Sequence, residues 1–146
     1  MRLETFIGKA TLAIDAAGRT SLPKEFRKVL HDENKGQVVV TLAENRTLAL
    51  YPLSEWNRYV QSLSEFGKGP EVSKLRTLVT AMAKLSVLDA QNRISLTGEQ
   101  MRYAGIQDEV TFVGAGSRVR LWAPQRYVSE IETLSPEEEA RLASWF

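Results

Sequence analysis

A mixed fold, in which short strands and helices alternate and the whole pattern runs twice along one chain, is what this sequence predicts. Three observations predict it. The 146 residues are enough for one compact unit or two small ones. Hydrophobic residues make up 43% and charged residues 25%, an ordinary globular balance that excludes a disordered, collagen-like or coiled-coil chain. Above all, the chain repeats itself. Thr11-Leu12-Ala13-Ile14-Asp15-Ala16-Ala17-Gly18-Arg19-Thr20-Ser21-Leu22 matches Leu85-Ser86-Val87-Leu88-Asp89-Ala90-Gln91-Asn92-Arg93-Ile94-Ser95-Leu96. Asp15 thus recurs 74 residues on as Asp89. Further along, Val39-Val40-Thr41 aligns with Val110-Thr111-Phe112, and Leu50-Tyr51-Pro52 with Leu121-Trp122-Ala123, now 71 residues apart, so the second copy is three residues shorter in a loop.

Each copy opens with a short apolar strand, 12–14 in the first and 87–88 in the second. A polar Asp-x-x-x-Arg turn and another short strand follow. Pro23 then suits the first turn of a helix, whose Phe26, Val29 and Leu30 fall on one face. In the second copy Thr97-Gly98-Glu99-Gln100 fits a capping box and Gly105 a C-terminal stop. A hairpin comes next. The β-branched and aromatic runs 38–42 and 47–51 flank one turn, and 110–113 and 119–122 flank the other. Each copy closes on a helix with an apolar face, Leu53, Trp56, Val60 and Leu63 in the first and Tyr127, Ile131 and Leu134 in the second. Lys68-Gly69-Pro70 breaks the chain, and Val72, Leu75, Val79 and Met82 suggest a linking helix. Ser135-Pro136-Glu137-Glu138 starts a last helix, again as a capping box. The chain therefore divides into a first repeat at 6–66, a linking helix at 67–81, a second repeat at 82–134 and an acidic helix at 135–146. A unit of about 55 residues is marginal alone, so the two copies are expected to share one core. Trp145 and Phe146 either dock on a neighbour or cap the body.

Composition removes whole classes of chemistry. There is no cysteine, hence no disulfide, thiolate nucleophile or Cys-based zinc site. With the single histidine His31, next to Asp32, no two-His metal site can form and no Ser-His-Asp triad is suggested; a solvated histidine at a helix end is the plainer reading. Metal, cofactor and small-molecule substrate are all expected to be absent, and an enzyme using Asp15 and Asp89 as paired acids is disfavoured because each Asp has an Arg four residues on. No apolar run approaches the roughly 18–20 residues of a membrane span. Met1-Arg2-Leu3-Glu4-Thr5 lacks the apolar core of a leader, so the expected compartment is the cytoplasm. Residues 1–129 hold 18 Lys and Arg against 13 Asp and Glu, while 130–146 hold one Arg against five Glu. A basic body is compatible with nucleic acid without demanding it.

The Asp-x-x-x-Arg turns are the candidate site. The residue before the Arg is Gly18 in one copy and Asn92 in the other, the two types that most readily take a left-handed backbone. Asp15 and Asp89 can accept turn amides and hold Arg19 and Arg93 by a charge-assisted pair. One reading is a turn pinned by an ion pair. The other makes each Arg a reader of DNA, its planar fork matched to guanine or phosphate and the Asp orienting it.

At these residues the sequence resembles the MraZ family, within the larger AbrB/SpoVT-like group of swapped-hairpin DNA-binding proteins. The resemblance covers about residues 6–134 and rests on both turns, on Gly18-Arg19-Thr20-Ser21-Leu22-Pro23, on Leu50-Tyr51-Pro52-Leu53-Ser54-Glu55-Trp56, on Glu109-Val110-Thr111-Phe112-Val113-Gly114 and on Leu121-Trp122. It implies an α+β fold of two tandem swapped-hairpin repeats, intertwined as one pseudo-two-fold unit with flanking helices. It also implies a non-enzymatic bacterial transcriptional regulator, cytoplasmic and nucleoid-associated. Such a protein represses its own division and cell-wall operon by binding short direct repeats of double-stranded promoter DNA, as a homo-oligomeric ring. The family's turn arginines fall on Arg19 and Arg93. Many members carry Lys where Ala17 stands and Arg where Ile7 stands; Lys9 lies close in sequence and is a candidate replacement for that charge. Arg27 and Lys28 are further phosphate candidates, or the solvated side of their helix. The alternative function is a ring-forming scaffold or an antitoxin-like interaction module.

Overall fold

The computed structural model describes residues 5–31 and 35–146, without the side chain of His31. Met1-Arg2-Leu3-Glu4 and Asp32, which entered the leader and histidine readings, lie outside the described residues. The first copy supplies β1 (Lys9–Ala13), β2 (Arg19–Ser21), α1 (Lys24–His31), β3 (Gln37–Ala43), β4 (Thr47–Pro52) and α2 (Leu53–Ser62), which tightens into a 3-10 turn (Leu63–Phe66). After α3 (Pro70–Ala81) the second copy repeats the order. It has β5 (Lys84–Val87), β6 (Arg93–Ser95), α4 (Gly98–Ala104), β7 (Glu109–Gly114), β8 (Val119–Trp122) and α5 (Pro124–Tyr127), which widens into a π-helical turn (Val128–Glu132). The last element is α6 (Pro136–Ala143).

The copies are interleaved rather than juxtaposed. The main sheet runs β1-β7-β8-β4-β3-β5, antiparallel throughout, and β2 pairs with β6 in a separate two-stranded ribbon. Each copy's first strand thus completes the other copy's hairpin. β1 lies against β7 with Thr11 opposite Thr111, and β5 against β3 with Leu85 opposite Val39. A pseudo-two-fold axis passes through the Ala49–Arg120 pair of β4 and β8 and the Thr20–Ile94 pair of β2 and β6. The α+β swapped-hairpin expectation is met.

Register corrects one detail of the repeat. Val40 is opposite Leu50 in the first hairpin and Phe112 opposite Leu121 in the second, so Val40, not Thr41, is the counterpart of Phe112. Val38-Val39-Val40 matches Val110-Thr111-Phe112, an offset of 72. The second copy is therefore two residues shorter before its hairpin and one shorter within it, not three shorter in one loop. The valine run hides this, because both faces of β3 are buried from Val38 to Leu42, three successive valines read alike in either register, and the one polar residue, Thr41, is itself buried.

One face of the sheet forms the core. Val38, Val40, Leu48, Leu50, Val110, Phe112, Val119 and Leu121 point toward Phe26 and Leu30 of α1, Ala104 of α4 and Ile94 of the small ribbon. Gln100 of α4 is fully buried there. Its Nε2 donates to the carbonyls of Val40 and Met82, both at 2.9 Å, while its Oε1 closes the Thr97 capping box. A buried amide that meets all its partners fixes one docking of α4 on the first copy's hairpin. Gly105 ends α4 in the left-handed region at φ 68°.

The opposite face carries the aromatics. Tyr51 stacks on Tyr59 at 5.1 Å, and Trp122 meets Tyr127 edge-on at 5.8 Å. The closing helices deliver less burial than their spacing suggests. Of Leu53, Trp56, Val60 and Leu63 only Leu63 is buried. The π-helical turn adds a residue to the helical period and leaves Ile131 and Leu134 exposed. The linking helix buries no residue, and Leu75 and Leu78 face solvent.

Candidate nucleic-acid interface

The two Asp-x-x-x-Arg turns adopt one geometry. In the first, the Asp15 carbonyl accepts the Gly18 amide at 2.9 Å and the Asp15 amide donates to the Arg19 carbonyl at 2.9 Å. Asp15 Oδ1 accepts two amides, from Ala17 and Arg19, both at 2.9 Å, and Oδ2 accepts Arg19 Nε at 3.0 Å. In the second, Asp89 Oδ1 accepts the amides of Gln91 and Arg93 at 2.9 Å and Oδ2 accepts Arg93 Nε at 2.8 Å. The Arg19 amide, followed by its guanidinium and the Ala17 amide, holds the Asp15 carboxyl below the usual carboxylate range. The Arg93 amide does the same for Asp89, with its guanidinium and the Gln91 amide in support. Both carboxylates are therefore ionised acceptors at neutral pH and poor proton donors, which removes the paired-acid reading.

The left-handed residues tie the turns to each other. Gly18 has φ 83° and Asn92 φ 58°. That conformation aims the Gly18 carbonyl at the Leu96 amide and the Asn92 carbonyl at the Leu22 amide, both at 2.8 Å. Gly18 is also crowded. A Cβ there would stand 2.4 Å from the Leu96 carbonyl oxygen.

Between the turns, β2 and β6 form a two-stranded ribbon. Thr20 and Ile94 point inward and are buried; Arg19, Ser21, Arg93 and Ser95 occupy the outer face. Arg19 is opposite Ser95 and Arg93 opposite Ser21, so the two arginines are diagonal neighbours, with Cα atoms about 7–8 Å apart. Each spends only its Nε on its aspartate. The Nη1 and Nη2 groups make no hydrogen bond to any described residue. An exposed ion pair contributes only about 0–1 kcal/mol to stability, so its effect here is orientation: it fixes the guanidinium plane and leaves the far edge open.

Lys9 does not join this group. It begins β1, six residues and about 20 Å of strand before Asp15, and its ammonium pairs with Glu132 and lies 5.4 Å from the Tyr127 ring centroid. Arg27 does approach the ribbon, its Nε donating to the Leu22 carbonyl at 2.8 Å, while Lys28 is exposed.

A sequence model of the family described as "MraZ protein, putative antitoxin-like" matches residues 5–75 and again 80–143. The chain belongs to the MraZ family. Among its relatives, the "Transcriptional regulator MraZ" of Thermomicrobium roseum is 35% identical over 133 residues, 90% of this chain and 91% of that protein. The proteins of the same name from Thioalkalivibrio sulfidiphilus and Methylobacillus flagellatus are 33% and 30% identical. They cover 92% and 94% of this chain, and the chain covers 90% and 93% of theirs. The role that name describes is non-enzymatic.

Sequence reading missed a second arginine cluster in this MraZ-family chain. Arg118 grips both Glu44 oxygens at 3.0 Å and donates to the Tyr51 hydroxyl at 3.2 Å. Arg120 donates to Thr47 Oγ1 at 3.1 Å, and its guanidinium lies 5.5 Å from the Trp122 ring centroid, as does that of Arg126. The signal was available. Arg118, Arg120 and Trp122 alternate with the buried Val119 and Leu121, which places them on the outer face of a strand. These arginines are committed to the hairpin and lie on the sheet face away from the ribbon, so they clasp the fold rather than enlarge the site.

Proposed function

We propose that this chain is a sequence-specific DNA-binding transcriptional regulator. It represses its own division and cell-wall operon, and it reads short direct repeats in the promoter through the Arg19 and Arg93 turns. It works on the nucleoid as a ring of identical copies. One observation carries this reading: two oriented guanidinium groups with open outer edges share the exposed face of one narrow ribbon. A major groove admits a two-stranded β-ribbon, and the planar fork matches the O6 and N7 acceptors of guanine or a phosphate. A spacing of about 7–8 Å corresponds to roughly two base-pair steps at ~3.4 Å each, so the arginines address base pairs about two apart within one site. The name its relatives bear supports the same class. Arg27, whose Nε reaches the Leu22 carbonyl just after β2, and the exposed Lys28 on the same helix supply phosphate contacts; Lys9, paired and remote, is left out of the reading set. A ring multiplies weak single contacts when the spacing of the DNA repeats matches that of the subunits.

The test is binding of the purified protein to labelled DNA from upstream of its own gene, over a salt series, beside Arg19→Ala/Arg93→Ala. Binding that fades with salt, and that the double variant loses while keeping its assembly state, is the expected result. Lost base-edge forks cost about 1–3 kcal/mol each; lost phosphate contacts instead flatten the salt slope by about 0.9 each. Equal binding by both proteins moves the interface elsewhere. No wild-type binding at low salt leaves the scaffold or antitoxin-like role.

A further inference from the structure

Helix α6 stands away from the body that carries it. Every residue from 136 to 146 is exposed, and the hydrogen bonds of residues 135–146 all stay within that segment. Yet the helix is well made. Ser135 and Glu138 cap its start reciprocally, at 2.8 and 3.1 Å. Its apolar side chains are not scattered: Leu134, Leu142 and Trp145 line one shallow groove, with Glu137, Glu138 and Arg141 around it. Trp145 is 73% exposed. A capped amphipathic helix with its apolar side in water is a surface without its complement.

A second unpartnered apolar surface lies elsewhere on the molecule. Between α2, its 3-10 turn and α3 runs a groove lined by Tyr59, Leu63, Phe66, Val72 and Leu75, with Arg76 at its side. Phe66 is 59% exposed and Leu75 51%. The charges of the two surfaces are opposite. Residues 67–84 carry Lys68, Lys74, Arg76 and Lys84 against Glu71, while 130–146 carry five Glu against Arg141. The two surfaces also stem from different halves of the sheet. α2 and α3 cover β4 and β3, whereas α5, which leads to α6, covers β7 on the far side of the pseudo-two-fold axis.

We propose that α6 of one copy docks in the α2–α3 groove of a second copy of this chain, head to tail. Leu134, Leu142 and Trp145 enter beside Phe66 and Leu75, and the glutamates of α6 face Lys74 and Arg76. Because donor and acceptor surfaces differ, the contact is heterologous. It leaves one unused groove and one unused helix at the ends of any open chain, and only a closed ring satisfies all of them. The inference rests on the self-assembly part of the reading above and is independent of its DNA part.

Light scattering on the full chain, without DNA, tests it. Two variants each spoil one surface, Leu142→Glu/Trp145→Glu and Phe66→Glu/Leu75→Glu. All four positions are exposed, so the fold is expected to survive, and circular dichroism checks this. Wild type is expected to be a multimer and each variant alone a single chain. An equimolar mixture of the two variants is expected to give a two-chain species and nothing larger, since one intact helix then meets one intact groove. Either variant keeping the wild-type mass, or a mixture that stays single-chain, overturns the docking while leaving self-assembly standing. A single-chain wild type overturns self-assembly itself and the docking with it.

Discussion

Replacing Gly18 by alanine separates two costs that usually arrive together. At φ 83° an L-residue is strained by about 1–2 kcal/mol. The new methyl would also stand 2.4 Å from the Leu96 carbonyl oxygen, which belongs to the backbone of the other copy and cannot rotate away. Relief requires the turns to part, which stretches the 2.8 Å bond from the Leu96 amide to the Gly18 carbonyl. Forcing an extra carbon into a filled site costs about 1–3 kcal/mol. Gly105 supplies the control. Its φ is 68°, and nothing lies within 4 Å of where its Cβ would be, so Gly105→Ala bears the strain alone. We expect Gly18→Ala to lose about 2–5 kcal/mol and Gly105→Ala about 1–2 kcal/mol. Urea unfolding, followed by circular dichroism at one fixed protein concentration so that any self-association weighs equally on both variants, measures both. Equal losses at the two glycines would refute the argument, because they would mean that the copies do not approach each other at Gly18.

Two further outcomes follow from the same geometry. Asp15 and Asp89 have folded pKa values below the unfolded carboxyl value, so their stabilisation is complete above about pH 4 and is lost as pH falls through the folded value. Carboxyl NMR titration should place both midpoints below 3.8; Arg19→Ala should raise the Asp15 midpoint only in part, since the backbone amide of residue 19 remains. A midpoint at or above 3.8 in wild type would contradict the hydrogen-bond pattern. Gln100→Glu keeps the shape of the side chain but turns a donor toward the carbonyls of Val40 and Met82 into an acceptor. Burying that uncompensated charge should cost about 3–5 kcal/mol at pH 7, and the deficit should shrink toward pH 5 as the acid takes up a proton. A deficit independent of pH would show that Gln100 does not donate to these carbonyls.

What the sequence discloses here is what is decided within a few residues. The capping boxes at Thr97 and Ser135, the Gly105 stop and the shared backbone of Gly18 and Asn92 are local, and each has a residue type that serves the geometry. The exchange of first strands is not local. Nothing in Lys9–Ala13 or Lys84–Val87 says which hairpin each will complete, because either hairpin offers an apolar edge. The one-residue slip at the valine run has the same origin. The pairing of Lys9 with Glu132 joins residues 123 apart, and no spacing rule reaches that far. Exposure of Leu75 and Leu142 was hidden for the opposite reason: a helical apolar stripe reads identically whether it meets its own core or another molecule.

The pseudo-two-fold axis through Thr20 and Ile94 relates two turns that are alike in backbone but not in side chain. Ala17 flanks Arg19 where Gln91 flanks Arg93, and Gly18 stands where Asn92 does. A homodimer of a single repeat would present the same turn twice, and its natural target would be a palindrome. Tandem duplication in one chain removes that degeneracy. On the proposed reading, the head then has a front and a back, and a copy bound through it would point one way along the duplex. Sites laid down in the same orientation, one after another, are then the arrangement that the proposed ring would need for every subunit to bind without any of them turning around.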